Sequence, residues 1–305
     1  MTKHIDRFNQ LKNIYKQFIE DPKNSKLRIR DVSNRLNVSE AELLSLSTNK
    51  GIFHLRINDF DNFFESILKE NDKVMFLIRT DFVVHEKIIS CQDYTIKNDR
   101  VFSLKDKSTL IKFNSDSIKY SFYEFKKHKN RNLRSFQFFD KDGNSMIKIY
   151  LKGKSKDQFD FIANKYKVEY NYELQKNFES NKFDNEYKSI DYDENVIDLT
   201  LRKILNKIAE DKIPVNIYAF GLDCTQCHSD TIKNVIDYGP WLNVMDKNFN
   251  IHVLEKNITV SNHGKRDGNN FIDFNDSNDS LVLSISANKK YNDIFNVVFE
   301  EDINE

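Results

Sequence analysis

Between Ile5 and Glu20 the apolar residues Phe8, Leu11, Ile14, Tyr15 and Phe18 recur every three or four positions. That spacing predicts an amphipathic helix, closed by Asp21-Pro22. Leu27 to Leu46, LRIRDVSNRLNVSEAELLSL, reads as helix, turn, helix. Ser39 with Glu42 three residues on predicts a capping box at the second of these helices. The pattern resembles a DNA-binding helix-turn-helix, but a helical pair packed on a sheet is the favoured reading. Phe60 to Leu68 predicts a short helix. From Val74 the period drops to two, which predicts strands over Val74 to Ile78 and Phe82 to His85. A meander through Tyr94, Phe102 and Leu110 to Phe113 follows, then Ile118 to Phe125. Lys156 to Tyr166 returns to helical spacing, with Phe159, Ile162 and Ala163 inward. Lys167 to Val196 has no period, although Tyr170, Tyr172, Phe178 and Phe183 are scattered through it. Ile197 to Glu210 predicts another helix, Val215 to Ile285 more strands, and Asn292 to Phe299 a last helix or strand.

Two stretches repeat. Arg134 to Leu151, RSFQFFDKDGNSMIKIYL, predicts a hairpin whose turn is Asp140-Lys141-Asp142-Gly143-Asn144. Asn270 to Ser286, NFIDFNDSNDSLVLSIS, matches it without a gap at a constant offset of 135 (274 − 139 and 280 − 145). Lys73 to Glu86 is echoed by Pro214 to Ser229 at an offset near 142 (225 − 83). The chain therefore reads as an α+β unit in tandem duplication. The expected division is a first repeat over 1–166, a linker over 167–196 and a second repeat over 197–305.

The 305 residues suffice for two domains. Lysine plus arginine equal aspartate plus glutamate at 47 each, which argues against a nucleic-acid or membrane-surface partner. No apolar run reaches membrane-span length, and MTKHIDRFNQLKN has no apolar signal core, so a cytoplasmic protein is expected. Three cysteines do not suggest a disulfide framework.

Four stretches in order, LRIRDVSNRLNVSEAELLSL, Val84-His85-Glu86-Lys87, RNLRSFQFFDKDGNSMIKIYL and GPWLNVMDKNFNIHV (Gly239 to Val253), resemble the haemin-degrading factor family of HemS-like cytoplasmic haem proteins. The resemblance covers nearly the whole chain outside the linker. It implies large antiparallel sheets with flanking helices and haem bound in a cleft after uptake. It further implies delivery of haem to an oxygenase, exchange with an uptake transporter, or breakdown by the protein itself. The family's axial histidine between the repeats has no counterpart, because no histidine occurs between His128 and His228. Ile111 stands where the family has an arginine, and Ser286 where it has a tyrosine.

His85, in the retained Val-His-Glu element, is the first candidate for a haem-iron ligand. His263 and His228 are reserves, and Lys265 and Arg266 could meet propionates. The alternative for each is a structural role: a strand histidine bonded to its neighbours, or a polar turn before Asp267-Gly268. Cys224-Thr225-Gln226-Cys227-His228 has the spacing of covalent haem attachment, but on a strand the two cysteines face opposite ways. Asp140-Lys141-Asp142-Gly143 is no calcium loop, since glycine falls at the fourth position. No flavin, nicotinamide or phosphate-loop motif is present. The expectation is a haem or tetrapyrrole carrier. The rivals are a scaffold that has lost the haem site and serves as an interaction module, and a haem-degrading enzyme fed by an external reductant.

Overall fold

A computed structural model describes residues 2–48, 51–92, 94–98, 102–128, 131–169 and 200–291. The linker from residue 170 on, with its four aromatic residues, and the element expected over 292–299 lie outside the described residues.

In chain order the elements begin with α1 (Thr2–Glu20), α2 (Ile29–Leu36), α3 (Glu40–Ser45), β1 (Ile52–His54) and α4 (Phe60–Glu70). A hairpin follows, β2 (Lys73–Arg79) and β3 (Val83–Ser90), then a meander, β4 (Thr95–Asn98), β5 (Phe102–Lys105) and β6 (Thr109–Phe113). Next come β7 (Tyr120–His128), β8 (Arg131–Phe139), β9 (Ser145–Leu151) and α5 (Lys156–Tyr166). The order then recurs: α6 (Thr200–Glu210), hairpin β10 (Val215–Gly221) and β11 (Cys224–Asp230), and meander β12 (Val235–Tyr238), β13 (Trp241–Met245) and β14 (Phe249–Val253). It closes on β15 (Ile258–Arg266), β16 (Asn269–Asp276) and β17 (Leu281–Asn288). The architecture is α+β, and the pairings between successive strands are antiparallel.

Contacts divide the chain into two units: Met1–Glu70, Asp116–Leu151 and Ser155–Asp191 form one, and Asn71–Ser115, Lys152–Lys154 and Tyr192–Glu305 the other. In the first unit β1, β7, β8 and β9 pair in that order. Cross-strand partners share a face, so Phe136 and Phe138 point one way and Phe122, Gln137 and Lys148 the other. The first face is covered by α4 and α5: Phe63 meets Phe136 and Phe138 edge-on at 5.1 and 5.8 Å, and Phe159 meets Phe136 at 4.4 Å. The second face takes α3. Ala41 and Leu44 pack on Tyr120, Phe122 and Phe139, and all six residues of α3 are buried. The helix pair thus resolves as a packing element. Ser39 caps α3 by accepting from the Glu42 amide, but the box stays half-made, because the Glu42 carboxylate turns to Arg7.

In the second unit the strand order of one sheet is β15-β16-β17-β10-β11-β6-β5-β4, and β2-β3-β14-β13-β12 form another. Each meander crosses to the other repeat's hairpin: β6 pairs with β11, and β14 with β3. The two sheets pack through β10 and β11 against β2 and β3. Asp72 anchors the short return at residues 152–154, where both its carboxylate oxygens accept from the Lys154 amide at 3.1 Å. A Cβ on Gly153 would lie 1.7 Å from Asp72 Oδ1. Gly153→Ala should therefore cost about 1–3 kcal/mol as an overpacking change, read as a lower urea midpoint at unchanged slope.

The repeat is real, but its terminal hairpin is offset by 136, not 135. Asp140 Oδ1 accepts from the amides of Asp142 and Asn144, and Asp276 Oδ1 from those of Asn278 and Ser280. The irregularity between Phe138 and Phe139 recurs between Phe274 and Asn275. One residue of slip leaves an apolar-rich strand looking alike but turns every side chain to the opposite face.

Candidate functional site

Where the two sheets of the second unit meet, four polar side chains converge. His85 on β3 is wholly buried; its Nδ1 accepts from Gln226 Nε2 on β11 at 2.7 Å. The same amide donates to the carbonyls of Phe76 and His85 at 3.2 and 3.3 Å, which fixes its orientation. Lys87, also on β3, donates to His228 Nδ1 on β11 at 2.8 Å. These pairs relate equivalent positions of the two repeats (226 − 85 = 141 and 228 − 87 = 141). Phe249 of β14 stacks on His228 at 4.0 Å and 7°, and touches His85 at 4.9 Å.

With Nδ1 accepting, each imidazole is neutral and carries its proton on Nε2. Burial lowers the His85 pKa to about 3, aided by His228 and Lys87, and that of His228 to about 4, aided by Lys87. Burial also lowers the Lys87 pKa, against the pull of Asp106, Asp230 and Cys227. Neither ring presents an edge to solvent, so either could meet iron only if the sheets parted.

β11 carries the Cys-x-x-Cys-His sequence with Cys224, Gln226 and His228 inward and Cys227 outward, so the two thiols and the imidazole cannot converge. Burial pushes the Cys224 thiol up to about 12 and raises that of Cys227.

The outward face of the same sheet is built differently. Register places Asn216, Tyr218 and Phe220 of β10 beside Thr225 and Cys227 of β11, and next to Leu110 and Lys112 of β6. On the other side come Ser284 and Ser286 of β17, then Phe271 and Asp273 of β16. Tyr218 and Phe220 are half-buried and stacked at 6.3 Å and 18°. At the sheet edge Arg266 lies over Phe271 at 4.0 Å and donates to Asp273 Oδ2 at 2.8 Å. Asp273 Oδ1 is buried with no hydrogen bond among the described residues. Asn216 donates to Ser286 Oγ at 3.3 Å. Ile111, where an arginine was expected, is buried inward, and its neighbour Lys112 is exposed on the outward face.

His263, Lys265 and Arg266 are all exposed on edge strand β15, His263 and Lys265 on one face and Arg266 on the other. The structure thus brings His85 and His228 into one buried cluster and sets His263, Lys265 and Arg266 on one edge. Tyr218, Phe220, Phe271, Asp273 and Lys112 were not singled out by the sequence. The visible signal was the alternation Asn216, Tyr218, Phe220 against buried Val215, Ile217, Ala219, which marks a strand with one face less buried than the other.

The family described as the haemin-degrading HemS.ChuX domain matches residues 37–166. No curated protein matches the sequence. Among solved structures, the fold is similar to that of the heme degrading enzyme ChuS from Escherichia coli O157:H7, with a TM-score of 0.74 at 15% identity over 90% of this chain and 93% of that one. It is also similar to holo-PhuS, a heme-binding protein from Pseudomonas aeruginosa, with a TM-score of 0.72 at 16% identity over 90% and 92%.

Proposed function

We propose, from the premise that residues 37–166 are a haemin-degrading HemS.ChuX domain in a chain of HemS-like fold, that the protein binds haem and carries it in haem utilisation. The observation that supports this most directly is the outward face of the β10 sheet. Half-buried Tyr218 and Phe220 offer flat apolar contact, and Lys112 and Arg266 offer cations to carboxylates. For the iron, His263 is the exposed imidazole, which faces the other side of edge strand β15 together with Lys265 and would reach over that edge, while Arg266 shares the outward face; Lys265 and Arg266 are suited to propionates. His85 and His228 remain in reserve as ligands that would require the sheets to open. Bound haem would supply a redox-active iron with an axial position for imidazole. The proposed setting is the cytoplasm, with haem handed between an uptake transporter and an oxygenase. Carriage is favoured over breakdown, since breakdown would draw on an external reductant and dioxygen.

Haemin titration of the apoprotein should give a saturable Soret shift. His263→Ala should weaken it by about tenfold or more, about 1.4 kcal/mol, while His85→Gln leaves it in place. A wild-type chain without a saturable shift would sink the haem reading. That result would favour the second reading, a scaffold that has abandoned haem, which the lack of histidine over 129–227 and the apolar Ile111 support.

A further inference from the structure

We propose that a cleft in the first unit is a binding site for a small planar carboxylate of the benzoate type. The cleft is open to solvent on one side and holds about 280 Å³ between β1, β7 and α5. At ~30 Å³ for each water-sized group, that is room for about nine heavy atoms. It is therefore far too small for a macrocycle.

Its walls are flat and aromatic. Phe53 and Tyr123, opposed across β1 and β7, stack at 6.3 Å and 27°. Phe125 continues the ledge, with the Arg134 guanidinium over its ring at 4.9 Å. The carboxylate in the cleft, Asp160, is already engaged: it takes two hydrogen bonds from Arg134, at 2.8 and 2.9 Å, and one from the Tyr123 hydroxyl. This leaves the charge unbalanced. Among the described residues of the cleft, two cations, Arg134 and Lys167, stand against one carboxylate.

Lys167 is the cation left to act. Its ammonium sits over Phe53 at 4.0 Å and Tyr123 at 4.9 Å, and it donates to Asn164 Oδ1 at 2.9 Å. An ammonium has three donors, and among the described residues Asn164 is its hydrogen-bond acceptor. Burial holds its pKa below the usual lysine value, with Asp160 pulling the other way. The backbone is pinned: the Lys167 amide donates to Ala163 O, Arg56 to Tyr166 O, and Val168 to His54 O. A carboxylate on Lys167 with its flat body along Phe53 and Tyr123 would satisfy the charge and the ring faces together.

The test is calorimetric titration of the full chain with benzoate, benzyl alcohol and benzylammonium. Benzoate should bind saturably, about tenfold or more tighter than benzyl alcohol, with benzylammonium weakest. Lys167→Met, which keeps the stem and removes the charge, should lower benzoate to the level of benzyl alcohol. Phe53→Leu should weaken both ligands alike, and it carries the test should Lys167→Met fail to fold. Equal binding of benzoate and benzyl alcohol, no saturable benzoate binding, or full benzoate affinity in a folded Lys167→Met chain would each overturn the proposal.

Discussion

Lowering the pH from 7 to 5 should destabilise the folded chain by several kcal/mol, before carboxylates begin to titrate in earnest. Three buried histidines cause this. His85 is held at about 3, His228 at about 4 and His54 at about 4, all from an ordinary 6.5, and burial is the largest cause in each. A lowered folded pKa means that the unfolded chain binds more protons between these values and 6.5. The stability contributed by the neutral rings is therefore complete above pH 6.5 and is lost as pH falls toward 3–4. At pH 5 each ring stands about 1.5 pH units below its unfolded midpoint, on the order of 2 kcal/mol per group. Geometry supports the direction. A proton on His228 would sit against the Lys87 ammonium, whose 2.8 Å contact requires an imidazole acceptor. A proton on His85 would displace the Gln226 amide, which two carbonyls hold as a donor. Urea midpoints measured from pH 7.5 to 5 should fall steadily, and His85→Gln should flatten that slope by about one proton's worth, roughly 1.4 kcal/mol per pH unit. A midpoint that stays level across the range would show that these rings are hydrated or already charged.

That cluster marks the limit of what the sequence discloses. His85 could be singled out as a strand histidine, but its partner lies 141 residues away and was chosen by sheet packing that no local pattern encodes. Gln226 looked like the filler of a Cys-x-x-Cys motif. Once β11 is a strand, parity alone puts it inward and Cys227 outward. Elements with strong periods were plain: α4, α5 and the hairpins fall where the apolar spacing puts them. The repeat was plain too, but not its register. Apolar residues on both faces of Phe136–Phe139 removed the contrast that fixes parity, and the offset shows in the Asp140 and Asp276 turns and the strand irregularity beside them. The exchange of meanders between hairpins could not be read at all, because either partner satisfies the same alternation.

Glu40→Ala should cost about 3–5 kcal/mol, and it tests why α3 is fixed to its sheet. Glu40 is fully buried; Oε2 accepts from Lys148 Nζ at 2.7 Å and Oε1 pairs with Arg30 at 3.5 Å. Lys148 is itself only 6% exposed and lies over the Phe139 ring at 5.6 Å. Removing the carboxylate leaves an ammonium with little access to water and no other ion-pair partner among the described residues, which is the expensive way to break a buried pair. Ala41 and Leu44 would stay apolar on Phe122 and Phe139, so the loss isolates the charge rather than the packing. The matching control is Glu40→Leu with Lys148→Met, which removes both charges and should recover most of the stability. In thermal denaturation the single variant should melt roughly 10 °C lower and the double variant close to wild type. If the single variant loses less than about 1 kcal/mol, then Lys148 reaches solvent by another route and the pair is a surface one in effect. If the double variant is as weak as the single, the ion pair is worth its desolvation here, and α3 is held by charge more than by Ala41 and Leu44.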